Sequence, residues 1–394
     1  MNNHMRRARH LRLSIVSSFL AALLLAGNGS AEDLPTPTFE VDPLWLKVPE
    51  GRVFGRLRGI ALDENDHLWI VHYTGNLIQN REGMLLSAIQ NPPQAECCVP
   101  MPTVSEFDTD GNFVRGWGGP SDEYNWPNSM HGIHVDHTGH VWLSGEDPRD
   151  AMILKFTKDG DFVMQIGKEQ HERVLELREQ FGWSYPAETT SQDTENVGRA
   201  ADMWVYPETN ELFVADGYGN HRIVVFDAET GEYKRHWGAY GNEPNDTTPA
   251  PPRDGRGTGE GATQFHVPHD VRISNDGLVY MADRGNNRIQ VFTPEGEYLT
   301  EGFVAQQTSS GNSTVYSIAF SRDADQTFLY VADPGNGRVH ILNRETLEPL
   351  DRFGQLGHYP GQWMVLHNIR TDSQGNLFTA DLRDGRVQKF VKQN

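Results

Sequence analysis

The chain has 394 residues, and its 54 acidic side chains against 34 basic ones give a formal net charge of −20. A field of that sign repels phosphate backbones and anionic lipid, so nucleic acid and membrane surfaces are poor partners. Hydrophobic residues make up 37% of the chain beside 39 Gly and 22 Pro, which suits short strands and many turns rather than long helices.

The first segment in the chain is not expected to belong to the fold. Arg6, Arg7, Arg9 and Arg12 form a basic stretch, Leu13 to Ala26 an apolar one, and Gly29-Ser30-Ala31 offers small residues to a signal peptidase. The apolar run is too short for about 30 Å of hydrocarbon, which favours a cleaved signal over a membrane anchor. Residues 1–31 are therefore predicted to be a signal peptide, residues 32–394 a single domain, and the protein exported to a periplasm or secreted. Cys97 and Cys98 are the only cysteines. In an oxidising compartment such neighbours can close a vicinal disulfide, with two free thiols as the alternative.

From residue 52 onward one unit recurs: a short strand, a polar turn, a second strand ending in Ala-Asp or a variant, a Gly/Asn-rich loop, then Arg-Ile or Arg-Val opening a third strand. Two looser copies come first, beginning at GIALDENDHLWIVH (59–72) and HGIHVDHTGHVWLSG (131–145). Four clear copies follow: ELFVADGYGNHRIVVF (211–226), LVYMADRGNNRIQVF (278–292), LYVADPGNGRVHIL (329–342) and LFTADLRDGRVQKF (377–390). Strands of four to six residues with Asp-Gly, Asn-Gly and Glu-Gly turns are hairpin chemistry, and four strands per unit repeated radially are propeller blades. The expectation is an all-β, six-bladed β-propeller. Its last unit lacks an outer strand, which Pro37–Trp45 would supply to close the ring. The Asp-x-x-x-x-Arg-[Ile/Val] repeat resembles the NHL family.

The residues that open the innermost strand of each unit are Arg58, His131, Ala201, His269, Tyr316 and His367. Innermost strands line the central channel, so these six side chains should form one ring, with the histidines on alternate blades. His is 16 of the 394 residues, and three hits in six matched positions would arise by chance about once in a thousand. Three imidazoles converging on one ion, with positions left for water and substrate, are the ligand set of a catalytic zinc or a similar divalent metal. Strand counting puts the loops between strands two and three on this same face, with Tyr73, Glu146, Asp147, Tyr218, Arg284 and Arg383 in them. It also puts three long insertions there, 74–102, 168–199 and 239–266, as lids. Val174, Leu175, Leu177 and Phe181 suggest a short amphipathic helix in the second of these.

With these residues placed, the chain resembles the peptidyl-α-hydroxyglycine α-amidating lyases, most closely in MHGIHVDHTGHVW (130–142), ADGYGNHRIVVF with QFHVPHDV (264–271), and VLHNIRTDSQGNLFTAD (365–381). The resemblance implies a zinc-dependent C–N lyase acting on a small-molecule or peptide-derived α-hydroxy-amide. His131, His269 and His367 would be the zinc ligands, Tyr218 the catalytic tyrosine and Arg284 the arginine beside it. The chain departs from the family at Tyr73, where a substrate arginine is expected, and at Val365, where the family has methionine. It departs again at Asn368, in place of an acid that helps hold a structural calcium, which weakens the expectation of that ion. Arg58, Tyr73 and Tyr316 remain as residues to contact the substrate, with Arg58 either supplying the charge that Tyr73 lacks or pairing with an acid from a covering loop. A metal-dependent hydrolase or lactonase on the same propeller and a non-catalytic binding module stay open as alternatives.

Overall fold

The computed structural model describes residues 35–73, 92, 96, 98–170, 176, 190–246 and 262–394. The expected signal segment 1–31, Cys97, the helix expected around Val174–Phe181 and much of the three insertions lie outside the described residues. Cys98 does not carry a free thiol. Among the described residues no helix is long and apolar enough to cross a membrane.

Six four-stranded antiparallel sheets stand around one axis. Their innermost strands, in blade order, are Arg56–Leu62, Met130–Val135, Asp202–Tyr206, Pro268–Ile273, Ser317–Phe320 and Leu366–Thr371. The sixth sheet is completed by Phe39–Asp42, which pairs with Arg386–Lys392 in the register Phe39↔Lys392 and Val41↔Phe390. The N-terminal strand thereby closes the ring and removes two open edges. Neighbouring blades cover both faces of an inner strand, so all six residues of Met130–Val135 are buried, whereas the outer strand Pro349–Phe353 is mostly exposed. Apolar side chains fill each gap between blades. Trp69 and Val71 meet Ile133 and Leu143 between blades one and two, and Phe213 and Ala215 meet Val271 and Met281 between blades three and four. Turn glycines sit at positive φ where only hydrogen fits: Gly160 (φ +90) and Gly296 (φ +93) lie against the rings of Trp117 and Trp237 of the preceding blade.

The repeated Asp and Arg have a definite structural task. Asp216 and Asp283, which end the second strands of blades three and four, are fully buried and take the Nε–H of Arg222 (2.9 Å) and Arg288 (2.7 Å). Both terminal nitrogens of Arg222 donate to main-chain carbonyls of the segment entering the blade, at Ser191, Asp193 and Asn196, while Arg288 Nη2 donates to those of Ala262 and Gln264 and its Nη1 to the Tyr240 hydroxyl and Glu301. Each aspartate also accepts the backbone N–H three residues before the channel residue of its blade, Gly198 for Ala201 and His266 for His269. Asp381 does the same for Met364, three residues before His367.

Blade two reaches the same end differently. Gly145 stands where the aspartate is expected, and Asp150, five residues later, accepts the N–H of Asn128, three residues before His131. A Cβ at position 145 would collide with the Asp150 carboxylate, so the glycine and the displaced acid are one device.

Two stability predictions follow from this packing. Removing Asp283 leaves the buried Arg288 Nε without its acceptor and only the part-buried Glu301 to face its charge, so Asp283→Ala should lower the unfolding free energy by about 3 kcal/mol in urea titrations. The second concerns His72, whose Nδ1 accepts the Gly55 N–H (3.0 Å) and whose Nε2 donates to the carbonyls of Met101 and Pro102 (3.1 Å each). Burial lowers its pKa from 6.5 to about 4, so the folded ring is neutral. Between those two values the unfolded chain binds a proton that the folded one does not, and stability falls as the pH falls through that window. The difference amounts to roughly 3 kcal/mol, and the stability gap between wild type and His72→Gln, measured by urea unfolding, should narrow by that amount from pH 7 to pH 4.

Candidate metal centre

The innermost strands are bulged at the channel residue. Pairing passes from Met130 to Ile133, from Pro268 to Asp270 and from Leu366 to Asn368, which leaves each histidine out of the ladder. A bulged residue escapes the strict alternation of a strand and its side chain is re-aimed. Here the three rings meet on the axis. His131, His269 and His367 are each 1% exposed, with ring centroids 5.1, 4.9 and 5.0 Å apart, close to an equilateral triangle. Arg58 occupies the corresponding bulge of blade one, between Leu57 and Gly59.

Hydrogen bonds fix the tautomers. His131 Nδ1 donates to the Ala201 carbonyl and His269 Nδ1 to the Tyr316 carbonyl, both at 2.7 Å. His367 Nδ1 donates to Asn368 Oδ1 at 3.0 Å. The Nε2 lone pairs are left to face one another, and the facing nitrogens all lie within 4.8 Å. Burial is the main cause that keeps the rings neutral. It lowers His131 to about 3 with help from the Arg58 charge, and His269 and His367 well below their usual value with help from the other rings.

Tyr218 follows the second strand of blade three. Its hydroxyl lies 2.9 Å from His131 Nε2 and 3.0 Å from His269 Nε2, and Arg284 Nη1 donates to it at 3.3 Å. The one hydroxyl proton can serve only one of these lone pairs at a time. Buried acceptors without donors are costly, and a divalent cation at the centre would satisfy all three. The neutral N₃ donor set suits zinc, and small ring rotations would bring the nitrogens to the roughly 3.4 Å spacing of tetrahedral ligands. Burial pushes the Tyr218 phenol pKa up, and the Arg284 guanidinium opposes it. That guanidinium also lies over the Tyr316 ring, 4.1 Å from its centroid.

Above the rings opens a cavity of about 460 Å³ whose wall includes Arg58, Tyr73, Glu146, Tyr218, Arg284 and Tyr316. Arg383 is not in that wall. Arg58 pairs with Glu146 at 2.6 Å and lies over the Tyr73 ring at 5.9 Å. Tyr73, where a substrate arginine was expected, therefore packs beside an arginine from a different strand. Asn368, where a calcium ligand was expected, is committed to orienting His367. Arg199 escaped the sequence reading, yet its guanidinium lies 5.7 Å from the Tyr218 ring and its Nε donates to the Glu146 carbonyl at 2.9 Å. A signal for it exists. The positions two residues before the channel ring are Arg56, Ser129, Arg199, Val267, Thr314 and Val365, and all but Thr314 line the cavity.

Comparison with known proteins agrees with this architecture. The NHL repeat model matches residues 265–292. Human NHL repeat-containing protein 3 is 24% identical over 304 residues, 75% of this chain and 74% of the relative. Peptidyl-glycine alpha-amidating monooxygenase B of Xenopus laevis is 30% identical over 268 residues, 66% of this chain but only 26% of that longer protein. The probable peptidyl-alpha-hydroxyglycine alpha-amidating lyase of Caenorhabditis elegans is 23% identical over 347 residues, 86% of this chain and 74% of the relative. The chain is a six-bladed propeller that carries an NHL repeat and resembles the peptidyl-α-hydroxyglycine α-amidating lyases.

Proposed function

We propose that the protein is an exported, metal-dependent lyase that cleaves the C–N bond of an α-hydroxy-amide. The observation that carries this reading is the Tyr218 hydroxyl, held between His131 and His269 and beside Arg284 on the floor of the cavity. A divalent ion, zinc by preference, held by His131, His269 and His367 would supply a Lewis acid that makes a bound hydroxyl more acidic. Tyr218 Oη takes the proton of the substrate hydroxyl as general base. Arg284 stabilises the tyrosinate form of Tyr218 that accepts this proton. As the C=O bond forms, the C–N bond breaks with its electron pair on nitrogen, and the proton held by Tyr218 passes to that nitrogen. The products are a primary amide and an aldehyde, with no water consumed. Arg58, Tyr73 and Tyr316 shape the substrate end of the cavity. A structural calcium does not fit the residue set, because the Asn368 oxygen already accepts from His367. Export rests on the basic, apolar and small-residue order of residues 6–31.

Two measurements test the reading. Elemental analysis of purified protein should find about one divalent ion per chain, and His269→Ala should lose it. Tyr218→Phe should keep metal and fold while lowering turnover of an α-hydroxyglycine amide about 10²-fold or more. Release of a carboxylic acid instead of a primary amide would point to a hydrolase, and a fully metallated wild type inert on every such amide would remove the lyase assignment.

A further inference from the structure

Glu146 has no part in the chemistry above, yet blade two is rebuilt around it. The aspartate that ends the second strand elsewhere is replaced by Gly145, its peg is taken over by Asp150, and the residues between are released into the mouth of the channel. Backbone bonds hold Glu146 there: its N–H donates to the Ser129 carbonyl (2.8 Å), and its own carbonyl accepts from Arg199 (2.9 Å). Its side chain is held by Arg58 and, at 3.4 Å, by the Ser129 hydroxyl.

The carboxylate bridges two landmarks. Oε1 lies 2.6 Å from Arg58 Nη2, and Oε2 lies 4.0 Å from His131 Nε2. A carboxylate on the carbon that bears a hydroxyl placed beside Tyr218 and the three imidazoles would fall in this same region. Glu146 moreover serves Arg58 incompletely. Arg58 is 9% exposed, and its Nε is buried with no hydrogen-bond partner among the described residues. Guanidinium prefers to bind carboxylate through two parallel N–H···O bonds, and that preference is unmet here.

We infer that Glu146 is an internal carboxylate occupying the place on Arg58 that the substrate's carboxylate takes. It makes Arg58 a specificity-determining residue for carboxylate-bearing ligands and imposes a displacement cost on their entry. The inference builds on the lyase reading but concerns ligand binding alone. When a ligand carboxylate forms the two-bond pair with Arg58, Glu146 turns outward into the cavity. An uncharged ligand gains nothing from the exchange.

The test uses the zinc-reconstituted full chain and calorimetric titration with glycolate, an α-hydroxy carboxylate without an amide to lose, beside uncharged glycolamide. Glu146→Gln should bind glycolate about tenfold tighter and glycolamide unchanged, with the zinc retained. Arg58→Met should lose glycolate binding, and adding Glu146→Gln to it should restore nothing. Unchanged or weaker glycolate binding by Glu146→Gln would overturn the inference. So would an equal gain for both ligands, or loss of zinc, which would make Glu146 a metal ligand. If the wild type fails to cleave any α-hydroxy-amide while the glycolate difference persists, the lyase reading falls and the role of Glu146 stands.

Discussion

The site depends on one repeated interaction, a buried carboxylate that accepts the backbone N–H three residues before a channel residue. Asp150, Asp283 and Asp381 hold Asn128, His266 and Met364 in this way, and the three histidines follow at the same distance along the chain. A buried backbone donor must be satisfied, so the carboxylate fixes where the chain enters the blade. The bulge that comes next is then set against a fixed point. Three rings from blades far apart in sequence meet within a few ångströms because each is registered by the same means. The buried aspartate is thus what turns a repeat into a ring of aligned side chains.

Below the imidazoles the channel is closed by charge. Arg272 and Arg370 both reach the Asp202 carboxylate, at 2.9 and 2.6 Å, and both also contact Asp270. Two guanidinium and two carboxyl groups from blades three, four and six make one network, to which Ser317 of blade five adds a hydrogen bond to Asp270 at 2.6 Å. Buried ion pairs of this kind contribute little net stability but penalise every arrangement that separates them, which suits a part that must keep six blades in register. Among the described residues no fully buried acid lies between the three imidazoles above, so a cation held there would have neutral ligands. The arginines of the upper cavity, Arg58, Arg199 and Arg284, surround Tyr218 and favour negative charge on ligand or phenol.

Blade two shows how a repeat acquires function without losing its fold. Moving the aspartate from the strand end to position 150 keeps the hydrogen bond to the entering chain and frees the loop between. The requirement for glycine at 145 follows, since the displaced carboxylate fills the space of a side chain there. What the repeat loses in regularity it recovers as an acid facing Arg58.

The repeat period, read from the amino-acid sequence, determined the number of blades, the closing role of the N-terminal strand and the six residues that open the innermost strands. It could do so because strand alternation and turn chemistry are local, and a radial repeat copies them at fixed spacing. A shift of two residues along the same alignment would also have yielded Arg199 and four more residues of the cavity wall, Arg56, Ser129, Val267 and Val365. The pairing of Arg58 with Glu146, the engagement of Asn368 by His367 and the transfer of the aspartate's task to Asp150 were decided only by the tertiary structure. The first joins residues 88 positions apart across two blades, and the other two turn on where a bulge or a loop directs one side chain. Such contacts depend on the relative placement of elements brought together by packing, and no periodicity in the chain encodes them.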